Sequence, residues 1–244
     1  MPLHHSWLSF TILARGAQSV YHTAMTYRIF IDGAAGTTGL QVQDRLEAHP
    51  FVTPVTLGDA ERKDPHARRA MMSGCDITIL CLPDDAARDS AALAAEVGAR
   101  VIDASSAHRT ADGWDYGFVE LVDGAYDAVA RSARISNPGC YPTGFLALAR
   151  PLVEAGIIAS DAALTVPAIS GYSGGGKAMI AKFEAGEMPP HGAYGLTMAH
   201  KHLPEMQAYA ALDRAPIFMP SVGPLYAGRL AHLPRHATPP PQPA

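Results

Sequence analysis

The sequence predicts an α/β fold in two parts: a parallel sheet interleaved with helices, then a second domain that mixes strands with a long apolar helix. Three observations carry this. Residues 27–32, Tyr-Arg-Ile-Phe-Ile-Asp, read as a strand, Gly33-Ala-Ala-Gly36-Thr-Thr-Gly39 as a turn, and Leu40, Val42 and Leu46 recur at helical spacing. Strand-like and helical segments keep alternating up to the Arg134-Ile-Ser segment, which implies parallel strands joined by helices. At Asn137-Pro138-Gly139-Cys140-Tyr141-Pro142 the texture changes, and an apolar helical stretch runs from residue 143 to 155.

In chain order, a second strand fits residues 52–57 and a third fits 77–82, Ile-Thr-Ile-Leu-Cys-Leu. An alanine-rich helix covers 84–97 with Asp84 as its N-cap, and a fourth strand covers 100–103. Strand, glycine turn and helix at this spacing make residues 25–137 a Rossmann-like, nucleotide-binding domain, and residues 138–232 form the second domain. That second part offers strands at 163–169, 217–219 and 226–233, a glycine cluster (Gly171, Gly174, Gly175, Gly176) and the polar segment His200-Lys201-His202-Leu203-Pro204-Glu205. Residues 233–244 form a proline-rich tail, and its final eight residues, with four prolines, cannot continue a helix or a sheet interior. Residues 1–24 hold one apolar run, 7–14, too short to span a membrane and without Lys or Arg ahead of it; they read as a poorly ordered extension and not as a signal peptide.

Composition narrows the function classes. The 244 residues carry a formal net charge of −4 and no basic run interleaved with aromatics, so nucleic acid is not an expected partner. The three cysteines, Cys75, Cys81 and Cys140, lack CxxC spacing, which argues against a disulfide scaffold or zinc ribbon and for a reducing compartment such as the cytoplasm. No metal site is expected, because His200 and His202 lack a third ligand nearby in sequence.

Gly33, Gly36 and Gly39 permit a tight turn and close backbone approach, so that helix N-terminal amides can face a pyrophosphate. The spacing is GxxGxxG, an approximation to the dinucleotide fingerprint. Past the second strand lie Asp59, Glu61, Arg62 and Lys63, where an acid would hold a ribose 2′-hydroxyl and a base a 2′-phosphate; residue type alone leaves NAD and NADP both open. Cys140, between Asn-Pro-Gly and an apolar helix, falls at a helix N-terminus, which favours a thiolate nucleophile. Cys75 and Cys81, beside or within a strand, read as structural. A neutral imidazole of His200 or His202 could serve as acid and base. Gly174-Gly175-Gly176-Lys177 lacks the spacing of a phosphate loop, and Arg109, just past the fourth strand, suits an acidic substrate group.

With GAAGTTG at 33–39, DASSAHR at 103–109, SNPGCYPTG at 136–144, SGYSGGGK at 170–177, HKHLPEM at 200–206 and PSVG at 220–223, the chain resembles the shorter form of N-acetyl-γ-glutamyl-phosphate reductase of arginine biosynthesis, in the aspartate-semialdehyde dehydrogenase superfamily. The resemblance implies that Cys140 accepts the acyl group, with His202 and then His200 as candidates for its acid and base. It implies NADP(H) in preference to NAD, held by Gly33, Ala35, Gly36, Thr37, Thr38, Gly39, Arg62, Lys63, Pro83 and Gly175. Ser105, Arg109, Asn137 and Lys177 would meet the substrate, N-acetyl-glutamyl phosphate, and relatives form homo-oligomers. Family members continue beyond the PSVG region, so the resemblance also makes the second domain incomplete, and a non-catalytic remnant and a related acyl-phosphate reductase such as aspartate-semialdehyde dehydrogenase stay as alternatives.

Overall fold

The computed structural model describes residues 26–235. The expectations for residues 1–24 and for most of the proline-rich tail fall outside them.

Six parallel strands form the first sheet. β1 (Tyr27–Asp32) carries four consecutive buried residues from Ile29 to Asp32, the pattern of a strand covered on both faces. It is followed by α1 (Thr37–Glu47), β2 (Val52–Val55), α2 (Pro65–Ser73), β3 (Ile77–Leu80), α3 (Asp84–Glu96) and β4 (Val101–Asp103). β5 (Asp115–Tyr116), α4 (Ala125–Arg131) and β6 (Arg134–Ser136) complete this part. The strand order is β2-β1-β3-β4-β6-β5. The chain runs outward from β1 to β2 and then crosses back to β3, so the order reverses between β1 and β3, and ligands of open parallel sheets bind at such a reversal. The glycine turn stands at the carboxyl end of β1, at that point.

The second part packs α5 (Cys140–Glu154) and α7 (Leu203–Tyr209) on a four-stranded mixed sheet of order β10-β7-β9-β8. Its strands are β7 (Thr165–Gly171), β8 (Gly192–Ala193), β9 (Ile217–Gly223) and β10 (Arg229–Ala231), with α6 (Gly176–Glu184) between β7 and β8. α5 buries Tyr141, Pro142, Phe145, Leu146 and Ala149, one face of a helix, against Val166, Ala168 and Phe218 of the sheet. The opposite sheet face leaves Ile169, Ile217, Met219 and Leu230 exposed.

One expectation fails. Pro83, and not Asp84, is the N-cap of α3, and Asp84 makes no cap hydrogen bond. Its carboxylate turns instead to the β4 loop, accepting from the N–H of Ser106 at 3.0 Å and from its hydroxyl at 2.7 Å. Two donors from one serine outcompete the helix's own amides.

Candidate active site

The carboxyl ends of β4 and β6 lead to the start of α5, where Ala104 and Asn137 line one cleft with Cys140. Gly139 is the extended N-cap residue of α5 and Cys140 its first helical residue, with the thiol side exposed. Gly139 has no room for a side chain: a Cβ there would run into Glu205 and Arg109. Glu205, 1% exposed, is the hub beneath this turn. It accepts hydrogen bonds from Arg109 Nη1 at 2.8 Å, the Tyr116 hydroxyl at 2.8 Å and the N–H of Gly139 at 3.0 Å. Arg109 also donates to the carbonyls of Asn137 at 3.1 Å and Ala104 at 3.2 Å, and Tyr209, stacked on Tyr116 at 3.7 Å, donates to the carbonyl of Arg109. One carboxylate thus ties β5, the β4 loop and α7 to the turn that presents Cys140.

Cys140 lines a cleft of about 660 Å³ together with Thr38 and Gln41 of α1, Tyr194, His200 and His202. The two imidazoles stand 4.6 Å apart, and His202, the N-cap of α7, is 5% exposed. Burial, with the nearby Arg109 guanidinium second, pushes the His202 imidazole down to about 3, and burial beside Lys201 lowers His200 as well, so both rings are neutral at physiological pH. His202 Nδ1 is buried with no hydrogen-bond partner among the described residues. Cys75 and Cys81 are partly exposed, and burial pushes Cys81 up to about 11, which keeps that thiol protonated.

On the sheet side, Gly33 has φ +93°, and a Cβ on it would collide with the Cys81 carbonyl. A Cβ on Gly39 would collide with Gly33 itself. The α1 N-terminus has no side-chain cap and no acidic residue in its first turn, which leaves its amides open to an anionic ligand. A second cavity of about 300 Å³ runs from Gly33, Ala34 and Ala35 to Asp59, Arg62, Lys63 and Arg68. These features fit a dinucleotide. Arg62 pairs with Asp59 at 3.0 Å, and Arg68 is held on Asp32 at 2.6 Å with Ser90 donating to the same carboxylate.

The remaining expected residues divide. Thr37 opens α1, Gly36 is its N-cap, Thr38 lines the cleft that holds Cys140, and Gly175 and Asn137 line that cleft too. Pro83 caps α3 next to Leu82, which borders the second cavity. Ser105 turns its hydroxyl to Asp103 at 2.7 Å and is absent from the cleft lining, while Lys177 Nζ donates to the carbonyl of Ala35 at 2.5 Å, joining α6 to the glycine turn. Arg109 borders the cleft, but its donors are engaged by protein groups. Sequence reading missed Glu205, Tyr116, Tyr194, Arg68 and Arg229. It also missed the buried Asp103, whose carboxylate meets His108 Nδ1 at 2.6 Å while His108 stacks on Trp114. Only the LPE of HKHLPE offered a local signal, an acid one turn after two histidines.

A family model described as semialdehyde dehydrogenase, NAD binding domain, matches residues 28–129, and one described as semialdehyde dehydrogenase, dimerisation domain, matches 140–242. N-acetyl-gamma-glutamyl-phosphate reductase 2 of Pseudomonas putida is 49% identical over 209 residues, covering 84% of this chain and 67% of the relative. The N-acetyl-gamma-glutamyl-phosphate reductase of Chelativorans sp. is 48% identical over 220 residues, covering 86% and 71%. The chain belongs to the N-acetyl-γ-glutamyl-phosphate reductase family. It spans about two thirds of the length of these reductases, which are oxidoreductases. Among solved structures, aspartate semialdehyde dehydrogenase II of Vibrio cholerae, complexed with ASA, shares the fold at TM-score 0.61 and 18% identity over 84% of this chain and 72% of that one. Aspartate semialdehyde dehydrogenase of Candida albicans, solved with NADP, matches at TM-score 0.60 and 18% identity over 88% and 73%. Among the described residues, no helix is long and apolar enough to cross a membrane, and no three His, Cys, Asp or Glu side chains cluster as a metal site.

Proposed function

We propose that the chain reduces N-acetyl-L-glutamyl 5-phosphate to N-acetyl-L-glutamate 5-semialdehyde with release of phosphate, an arginine-biosynthetic step, through a thioester on Cys140. The observation that carries this reading is an exposed cysteine opening a helix in the same cleft as two neutral imidazoles, beside a glycine turn shaped for a dinucleotide. Cys140 Sγ attacks the acyl carbon, the carbon–oxygen bond to phosphate breaks, and phosphate departs with that electron pair. A bound nicotinamide dinucleotide supplies the hydride that takes the acyl group to the aldehyde level. His202 lines the same cleft, and although burial makes its isolated imidazole a weak base, a thiolate forming beside it stabilises the imidazolium; in this reading it takes the thiol proton as the thiolate forms and returns it to the departing sulfur as the aldehyde is released. The hydrogen bond from Gly139 to Glu205 holds the turn from which Cys140 presents its sulfur.

NADP(H) is the cofactor of this reading. Arg62, Lys63 and Arg68 give the second cavity more positive than negative side chains, which favours a 2′-phosphate. A cytoplasmic homo-oligomer completes it: the residues exposed on the outer face of the four-stranded sheet, Ile169, Ile217, Met219 and Leu230, form an apolar surface that a second copy would cover.

The test is phosphate-dependent reduction of NADP+ with N-acetylglutamate semialdehyde, run beside aspartate semialdehyde on one preparation. Turnover of the first alone is expected. Turnover of aspartate semialdehyde alone would move the chain to the other reaction of the superfamily, and turnover of neither would leave it a non-catalytic remnant.

A further inference from the structure

Four cationic side chains stand in or beside the cleft that holds Cys140: Arg109, Lys177, Lys201 and Arg229. Arg109 is committed to Glu205 and two carbonyls, and Lys177 to the carbonyl of Ala35. The Lys201 ammonium has no hydrogen bond or ion pair among the described residues, and Arg229 differs from it in presenting a planar fork against the Tyr141 ring. It opens β10, lines the cleft, is exposed, and its guanidinium makes no hydrogen bond or ion pair among the described residues.

The sheet fixes its backbone. β10 pairs with β7 so that Arg229 lies opposite Ser170, and the carbonyl of the preceding Gly228 accepts from the N–H of Gly171 at 2.9 Å. The guanidinium carbon stands 5.5 Å from the ring centroid of Tyr141, the residue after Cys140. It also crosses the 3-10 turn Tyr172–Gly175, where a Cβ on Gly174 would lie 2.6 Å from Nη2. A side chain at 174 would displace the guanidinium from this place. A planar pair of donors, held by a strand and an aromatic face and lacking an anion, matches a carboxylate.

We propose that Arg229 binds the carboxylate of the acyl substrate and so selects carboxylate-bearing chains over neutral ones. This rests on the proposed reading that the substrate is the acyl phosphate of an N-acetylated amino acid. The carboxylate stays on the substrate through both half-reactions, whereas the phosphate leaves, so a cation fixed between Tyr141 and Gly174 suits the former.

Two measurements test it, and the first does not need turnover. Cys140 is alkylated with iodoacetate and with iodoacetamide in the wild type, Arg229→Gln, Arg229→Lys and Gly174→Ala. The wild-type rate ratio should favour the anion; Arg229→Gln should lower it by about tenfold, Gly174→Ala should lower it as well, and Arg229→Lys, which keeps the charge but not the planar fork, should fall between wild type and Arg229→Gln. An unchanged ratio in Arg229→Gln overturns the proposal. In the phosphate-dependent assay, Arg229→Gln should raise KM for N-acetylglutamate semialdehyde roughly ten- to hundredfold, leaving kcat and KM for phosphate near wild type. The α-carboxamide of that semialdehyde should be used equally by both proteins. A rise in KM for phosphate instead would assign Arg229 to phosphate and overturn the proposal. A wild type that turns over no semialdehyde defeats the functional reading, while the alkylation ratio still decides whether Arg229 draws a carboxylate to Cys140.

Discussion

The buried carboxylate of Glu205 accepts a hydrogen bond from the N–H of Gly139 at 3.0 Å, one residue before Cys140. The same carboxylate faces Arg109 in an ion pair with almost no solvent access. Removing one partner leaves the other charge buried and unmatched. Glu205→Ala should therefore cost about 3 to 5 kcal/mol of stability, read as a lower urea midpoint. Glu205→Gln keeps an acceptor for Gly139 and should cost less. Equal midpoints for wild type and Glu205→Ala would contradict this role.

His202 sets a pH dependence whose sign follows from its lowered folded-state value. The unfolded imidazole protonates near pH 6.5 and the folded one only near 3, so the unfolded chain binds the proton first as pH falls. This group's contribution to stability is complete above about pH 6.5 and is lost below it, by up to about 1.4 kcal/mol per pH unit, until pH approaches 3. His202→Asn should flatten that part of the slope between pH 6.5 and 4.5, measured by urea unfolding. The same variant should lower kcat by about 10² to 10⁴ if His202 is the acid and base, and His200→Asn should lower it less.

The strands and the glycine turn were legible because their signals are local: β1 and β3 are short apolar runs, and a glycine pattern needs no partner to be seen. Cys140 was legible for the same reason, since Asn-Pro-Gly before an apolar helix is a helix start. Short elements were not. β5 and β8 have two residues each and exist only through pairing with β6 and β9. Asp84 was misread because its cap role lost to Ser106, which lies 22 residues away. Glu205 and Arg109 lie 96 residues apart, and a pair of that separation leaves no periodic mark; Arg109 alone reads as a substrate cation.

Cofactor choice can be read without turnover. Arg62→Ala should narrow the affinity gap between NADPH and NADH, followed by fluorescence titration, and Gly33→Ala should weaken both because its backbone needs a positive φ beside the Cys81 carbonyl. An unchanged ratio in Arg62→Ala would place the 2′-phosphate on other groups.

Association through the second sheet predicts that a charge at its centre separates the copies. Met219→Glu, on a side chain 51% exposed in the isolated chain, should shift sedimentation toward the monomer while preserving cooperative unfolding. An unaltered sedimentation profile would mean that the assembly uses another face.

The covalent step is the centre of the account, and it can be isolated by withholding phosphate. N-acetylglutamate semialdehyde and NADP+ then allow acylation of Cys140 but not release of the acyl group to phosphate. A burst of NADPH stoichiometric with protein, with the N-acetylglutamyl group found by mass spectrometry on the peptide that carries Cys140, is the expected result, and Cys140→Ser should show neither. A burst that persists in Cys140→Ser, or an acyl group found on another residue, would contradict the thioester.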